Sequence, residues 1–313
     1  MSFLNFLTTF GNSVPGAVAQ GLIWGVMAIG VYITFRVLDV ADLTVDGSFA
    51  TGGATAVMLI RAGISAPVAV LIALLVGMVT GLITGLFHTK CGIPAILAGI
   101  LTQLMLFSVN LRIMGGQANV SVSVTKYNLL VSSRYVHDLS LKNPIFPLLL
   151  IIAVVIAILY WFFGTEIGCS LRSTGNNKNM SRAQGINTDK TTILGLMFSN
   201  GLVAFAGAFL AQYQGFSDVN MGRGAIVIGL AAVIIGEVIF GKIFRSFWLK
   251  LLGVVLGAVI YYLVIQLVLM IPGFSTDDLK LFTALVVGLF LSIPYWKGKV
   301  FKPKAPKGGA DNA

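Results

Sequence analysis

Long uncharged stretches alternate with short polar ones along almost the whole chain. Apolar runs cover about Val14 to Phe35, Phe49 to Ile60, Pro67 to Phe87, a stretch interrupted by Pro94 that ends near Val109, Pro144 to Phe163, Thr192 to Tyr213, Ala225 to Phe240, Leu251 to Ile271 and Leu281 to Trp296. Most approach the ~20 residues that an α-helix needs to cross a hydrocarbon core of roughly 30 Å. Backbone polar groups in lipid must be paired within the segment, so each run predicts a helix. The run from Phe49 to Ile60 is short for a straight crossing and rich in Gly and Thr, which predicts a broken or deeply buried helix. The fold class read from this pattern is all-α, a polytopic helical membrane protein of about nine spans.

Two extended polar stretches interrupt the pattern. From Arg112 to Asn143 the alternation of Val120, Val122 and Val124 predicts a little strand. From Thr165 to Lys190, TEIGCSLRSTGNNKNMSRAQGINTDK, the middle predicts one short helix capped at its start by Asn176 or Asn177 and ended by Gly185. Met180, Ala183 and Ile186 recur at helical spacing while Lys178, Ser181 and Arg182 face elsewhere. So short an amphipathic helix does not stand alone in water and must lie on a partner.

Composition agrees with the membrane reading: of 313 residues 57% are hydrophobic and 10% charged, against about 25% charged in soluble proteins. The first ten residues, MSFLNFLTTF, lack the basic start of a cleavable signal peptide, so the first span is expected to anchor the chain. Residues 1–296 read as one transmembrane domain, with the loop at 165–190, and the Lys-rich 297–313 as a disordered cytoplasmic tail. Placing that loop inside also puts inside Arg36, Lys90, Arg172, Lys178, Arg182, Lys190, Lys242, Arg245, Lys250 and the five tail lysines. That is roughly 14 cations against about 7 outside (Arg61, Arg112, Lys126, Arg134, Lys142, Arg223 and Lys280), the asymmetry of a protein with its amino terminus outside and its carboxyl terminus in the cytoplasm. The net charge of +10 is therefore a topology signal and needs no nucleic acid. Cys91 and Cys169, the only cysteines, fall on the cytoplasmic side as reduced thiols.

Candidate chemistry is sparse. GEVIFGKI at 236–243 fits most of a phosphate-binding loop, but Ile243 cannot ligate magnesium and the run ends an apolar helix instead of joining strand to helix. Glu237 is costly in a membrane segment and is expected to be neutralised by Lys242 and Arg245, or else to serve a cytosolic partner or a gate. His88 and His137 fall on opposite sides of the membrane, so they share no metal, and no paired carboxylates offer hydrolytic chemistry. The residues thus offer neither an enzyme's chemistry nor a metal site. Polar groups within or beside spans are Thr44, Asp46, Ser48, Thr102, Gln103, Ser108, Asn110, Ser199, Asn200, Gln212 and Gln214. They serve either as interhelical hydrogen bonds, worth about 0.6 kcal/mol on average, or as the lining of a wet path. The candidate path residues are Thr44, Asp46, Ser48, Thr102, Gln103, Asn110 and Asn200. Gly21 and Gly25, Gly77, Gly81 and Gly85, and Gly253 and Gly257 are spaced for close helix packing, with a dimer seam as the minor alternative.

From about Gly16 to Tyr295 the sequence resembles the membrane permeases of ABC importers, specifically the branched-chain amino acid permeases and their ribose-type relatives. The resemblance rests on GLIWGVMAIGVYITFRVLDVADLTVDGSFATGGA, on MSRAQGINTDK with the following GLVAFAGAFLAQYQG, and on GAIVIGLAAVIIGEVIFGK. It implies the fold of a type II ABC importer, a homodimer or heterodimer of permease subunits, a cytosolic ABC ATPase dimer, and an extracytoplasmic solute-binding protein, in a bacterial inner membrane. ATP would be bound by the partner, and this chain would carry no cofactor. The loop helix resembles the coupling helix that seats in the ATPase, which would comprise Asn177, Lys178, Met180, Ser181, Arg182, Ala183, Gln184, Gly185 and Ile186. The chain departs from better-known branched-chain members at DVADLTVDG, 39–47, where they show N-F-A-H-G-E, and at GEVIFGKIFRS from Gly236. It looks closest to a branch assigned to amino acids, aromatic ones included. A secondary transporter or channel without ATPases is the alternative, and a scaffold without transport the third.

Overall fold

The computed structural model describes residues 3–124, 126–136 and 143–270, with 281, 284, 285, 287–290 and 292. The helices are α1 (Phe3–Tyr32), which continues as a π-helical turn over Ile33–Val37, α2 (Thr44–Arg61), α3 (Ala66–Thr89), α4 (Ala95–Ile113), α5 (Ile145–Gly164), α6 (Glu166–Asn176), α7 (Lys178–Ala183), α8 (Thr188–Gln214), α9 (Ala225–Phe240) and α10 (Phe247–Leu269). Among the described residues, six segments are long and apolar enough to cross a membrane: 10–37, α3, α4, α5, α8 and α10. α9 is a shorter apolar helix. The described positions between Leu281 and Ser292 are helical, while the rest of the last expected span, the Lys-rich tail, His137, Lys142 and Lys280 lie outside the described residues.

At the centre stands α8, packed against α1, α2 and α3 and buried along most of its 27 residues. α2 lies between α8, α3 and α4, and α1 between α8, α9 and α10. The expected short run at Phe49 is one unbroken helix beginning at Thr44, and it is deeply buried. Its contact with α8 is backbone on backbone. A Cβ on Gly52 would lie 1.9 Å from the Ala204 carbonyl oxygen, and one on Gly207 would lie 2.0 Å from that of Phe49. The G-x-x-x-G pairs all pack inside this chain: Gly21 and Gly25 on Val259 and Val255 of α10, Gly77, Gly81 and Gly85 on α8, Gly257 on Ala232 and Gly236 of α9.

The strand expected near Val120 is β1 (Asn119–Ser121), which pairs antiparallel with β2 (Phe216–Asp218) in the register Asn119↔Asp218, Val120↔Ser217, Ser121↔Phe216. This clip joins the segment after α4 to the segment after α8.

Candidate functional site

The polar loop between α5 and α8 holds two helices where the sequence predicts one. Thr165 Oγ1 accepts from Gly168 N (3.4 Å) and starts α6. Asn177 Oδ1 then accepts from Met180 N (3.0 Å) to start α7. α7 stops at a left-handed Gly185 (φ +83°), with Gly185 N bonded to Arg182 O and Ile186 N to Ser181 O, both at 3.0 Å. Those are the paired bonds of a Schellman stop, which glycine permits without steric cost. Asn187 Oδ1 accepts from Lys190 N (3.1 Å) and opens α8 at once.

Every end of this short helix is thus tied down, and its inner side is tied as well. Ser181, expected among the partner-facing residues, instead points inward: it is fully buried and its Oγ lies 2.8 Å from Ser173 Oγ on α6. Thr174 and Thr191 join α6 to α8 through their hydroxyls at 2.9 Å. Arg182 donates from Nε to Thr188 Oγ1 (2.8 Å) and pairs with Asp189 (3.4 Å). α6 abuts the π-helical turn of α1, where a Cβ on Gly175 would lie 1.9 Å from the Val37 carbonyl. Outward the helix offers Lys178, Met180, Ala183 and Gln184, with Met180 49% exposed. Asn177 and Gly185 are exposed and Ile186 is half-buried. Beside the loop a cavity of about 890 Å³ is walled by Arg36, Asp39, Arg172, Arg245 and Lys250 among others.

Glu237 does find a cation, but from far along the chain. Its carboxylate pairs with Arg36, at the end of the first span, and not with Lys242 or Arg245 as expected. Sequence distance hides such a pair, since the nearest cations in sequence are the only ones a local reading can propose.

The candidate path residues divide into two groups. Thr44, Ser48, Thr102 and Asn200 belong to a closed polar network. Asp42 Oδ1 accepts from Thr44 N (2.9 Å) and Oδ2 from Asn200 Nδ2 (2.6 Å). Asn200 Oδ1 accepts from Ser48 Oγ (2.7 Å), which also meets Thr80 Oγ1 (2.7 Å). Thr84 Oγ1 lies 2.7 Å from Thr44 Oγ1 and donates to Thr102 Oγ1 (2.9 Å). All these groups are buried, and they satisfy one another. Burying an unpaired polar group costs about 1–3 kcal/mol, so the network holds α2, α3, α4, α8 and the linker before α2 in one arrangement. Sequence reading missed Thr80, Thr84 and the role of Asp42. Their only signal was hydroxyls at i, i+4 on the glycine-lined face of α3.

The second group, Asp46, Gln103 and Asn110, borders a separate pocket of about 290 Å³, together with Phe107, Asn220 and Arg223. Asp46 Oδ2 accepts from Gly224 N (2.9 Å) and Oδ1 from Ile226 N (3.0 Å), so this α2 carboxylate caps the start of α9. Carboxylates are favoured at that end of a helix dipole. Asn110 is 1% exposed, and its Oδ1 has no hydrogen-bond partner among the described residues. Arg223 is exposed and pairs with no described carboxylate.

Comparison with known proteins gives these arrangements a setting. A tyrosine transport system permease protein of Clostridioides difficile (strain R20291) is 39% identical over 284 residues, 90% of this chain and 91% of the relative. An uncharacterised protein of Rickettsia prowazekii (strain Madrid E) is 34% identical over 283 residues, 90% of this chain and 97% of the relative. Among solved structures, PsaBC from Streptococcus pneumoniae in complex with Fab superposes with a TM-score of 0.42 at 14% identity, covering 83% of this chain and 95% of that one. The family model described as branched-chain amino acid transport system, permease component, matches residues 14–293. With nearly its whole length matched, the chain belongs to that permease family.

Proposed function

We propose that this chain is the membrane-embedded subunit of an ATP-driven ABC importer that carries an amino acid inward. The observation that carries the reading is α7. A helix of six residues is capped at both ends, pinned through Ser181 and Arg182, and left with Met180 and Ala183 facing outward. A helix this short gains nothing by itself, and an exposed apolar side chain on so rigid a mount suits a groove in a partner.

In this reading the partner is a cytosolic ABC ATPase dimer, and α7 is the coupling helix. Closure of the ATPases on ATP pushes α7. Its bonds to α6 and α8, and the contact of α6 with the end of α1, pass the push to the helices around the Asp42 network. A second permease subunit and an extracytoplasmic solute-binding protein complete the assembly. α1 to α5, α8 to α10 and the apolar run from Leu281 supply about nine spans, in a bacterial inner membrane with the amino terminus outside. The similarity to a tyrosine permease supports an aromatic amino acid as substrate.

The test is reconstitution of the chain with a candidate ABC ATPase and solute-binding protein from the same organism, with uptake of labelled L-tyrosine into proteoliposomes. Uptake is expected to need ATP and to survive ionophores. Uptake that continues without ATP and collapses with the ion gradient would instead establish a secondary transporter.

A further inference from the structure

The connection between α8 and α9 does not stay at the end of the helix bundle. After β2, Ser217 and Met221 lie against Gly53, and Gly222 packs on the Asp46 carbonyl, where a Cβ would come within 2.0 Å. Residues 215–224 therefore run back along α2 toward its start. Ser48, in that same first part of α2, bonds Asn200 near the middle of the 27-residue α8. α9 thus begins well within the thickness that α8 spans. Non-helical backbone at such depth is tolerated where it is buried in protein or lines a cavity. Here the turns are held by Met221 N to Asp218 O, Arg223 N to Asn220 O and Ala225 N to Gly222 O, and Val219, Asn220 and Arg223 form one wall of the 290 Å³ pocket.

We propose that this pocket binds the zwitterionic head of a free α-amino acid, with Asp46 and Asn110 receiving the ammonium and Arg223 the carboxylate. The proposal rests on the importer reading and names the part of this chain that touches the cargo. The lining of one pocket carries both signs of charge, Asp46 and Arg223. Backbone N–H groups at the start of α9 occupy part of the Asp46 carboxylate, and an ionised carboxylate has about four acceptor positions, so room remains for an ammonium. Asn110 adds a buried acceptor that no described group fills. Arg223 has no described anion, and the guanidinium fork matches a carboxylate with two parallel bonds. A sugar would leave both charges unused, and a second carboxylate would meet Asp46. Phe107 lines the same pocket and offers a surface for an apolar or aromatic side chain. The 290 Å³ volume falls just below the range, about 300–1,000 Å³, of sites that enclose small molecules.

Equilibrium dialysis of the purified chain against a panel of labelled protein amino acids, L-tyrosine and L-leucine included, tests the site directly. Saturable binding is expected, with competition at least tenfold weaker from tyramine, which lacks the carboxylate, and from 3-(4-hydroxyphenyl)propionate, which lacks the ammonium. Arg223→Gln is expected to weaken binding at least tenfold and Arg223→Lys to restore part of it. Arg223 is exposed and its side chain caps nothing, so these variants keep the fold. Asp46→Asn is the second variant, read only where it elutes as the wild type does, because Asp46 also caps α9. If Arg223-dependent binding is present while the reconstituted assembly shows no ATP-driven uptake, the site stands and the importer reading falls. If no amino acid binds, or if Arg223→Gln binds and transports as the wild type does, the site is overturned, and ATP-driven uptake by the wild type would leave the importer reading intact.

Discussion

Exchanging Met180 for glutamate is expected to remove ATP-driven uptake while the chain still folds. Met180 is half exposed and makes no side-chain hydrogen bond, so Met180→Glu disturbs neither the Asn177 cap nor the Ser181 anchor. In the assembled complex the same side chain would be desolvated in the ATPase groove. Central apolar anchors at interfaces are worth about 2 kcal/mol or more on truncation, and burying an unpaired charge there costs further. Docking is therefore expected to weaken by about 30-fold or more. The checks are co-purification of the ATPase and substrate uptake, with the thermal melt of the isolated chain unchanged. Wild-type uptake by this variant would take the coupling role away from α7.

Gly52→Val is expected to prevent the chain from accumulating in folded form. The α2 and α8 backbones touch at this point, and the first added carbon would lie 1.9 Å from the Ala204 carbonyl oxygen and 2.6 Å from its Cα. Neither neighbour is a flexible side chain that could swing away. Overpacking in cores costs about 1–3 kcal/mol where side chains can adjust, and displacing two helix backbones costs more, against a total stability of about 5–15 kcal/mol. The yield of monodisperse protein after detergent extraction is expected to fall at least tenfold. Gly164→Ala, at a position with nothing within 4 Å of the added Cβ, is the control that retains wild-type yield. Equal yields for both variants would refute the close α2–α8 contact.

These two sites differ in how far the sequence discloses them. The caps of α7 are local, so Asn177 and Gly185 could be read from residue type and spacing alone. The preceding helix α6 could not, because EIGCSLRSTGN offers only Ile167 and Leu171 as an apolar pair and is otherwise small or polar. Its stability comes from tertiary contacts of Gly168, Leu171 and Thr174. The start of α2 was hidden for a related reason. Thr44, Asp46 and Ser48 look like loop residues by hydropathy, yet each is satisfied by a partner far away in sequence: Thr84, the start of α9, and Asn200.

The stretch DVADLTVDG also gains a physical account. Asp42 gathers Thr44 and Asn200, and Asp46 caps α9 and borders the pocket. A sequence pattern marks these aspartates as unusual without saying which is enclosed by the network and which borders open space. The same holds for Glu237, whose partner Arg36 is 201 positions distant. The strand at Val120 was legible from the Val120, Val122, Val124 alternation, whereas no apolar alternation runs through β2, Phe216–Asp218.

Site-directed cross-linking tests the central claim most directly. In a Cys91→Ser, Cys169→Ser background, which removes both native thiols, Met180→Cys is treated in the assembled transporter with a short cross-linker that joins a thiol to a lysine. A covalent product with the ATPase is expected from Met180→Cys and none from Ser181→Cys, whose native Oγ lies against Ser173 of α6. No product from Met180→Cys in a complex that retains uptake, or a product with the extracytoplasmic binding protein instead, would contradict the claim.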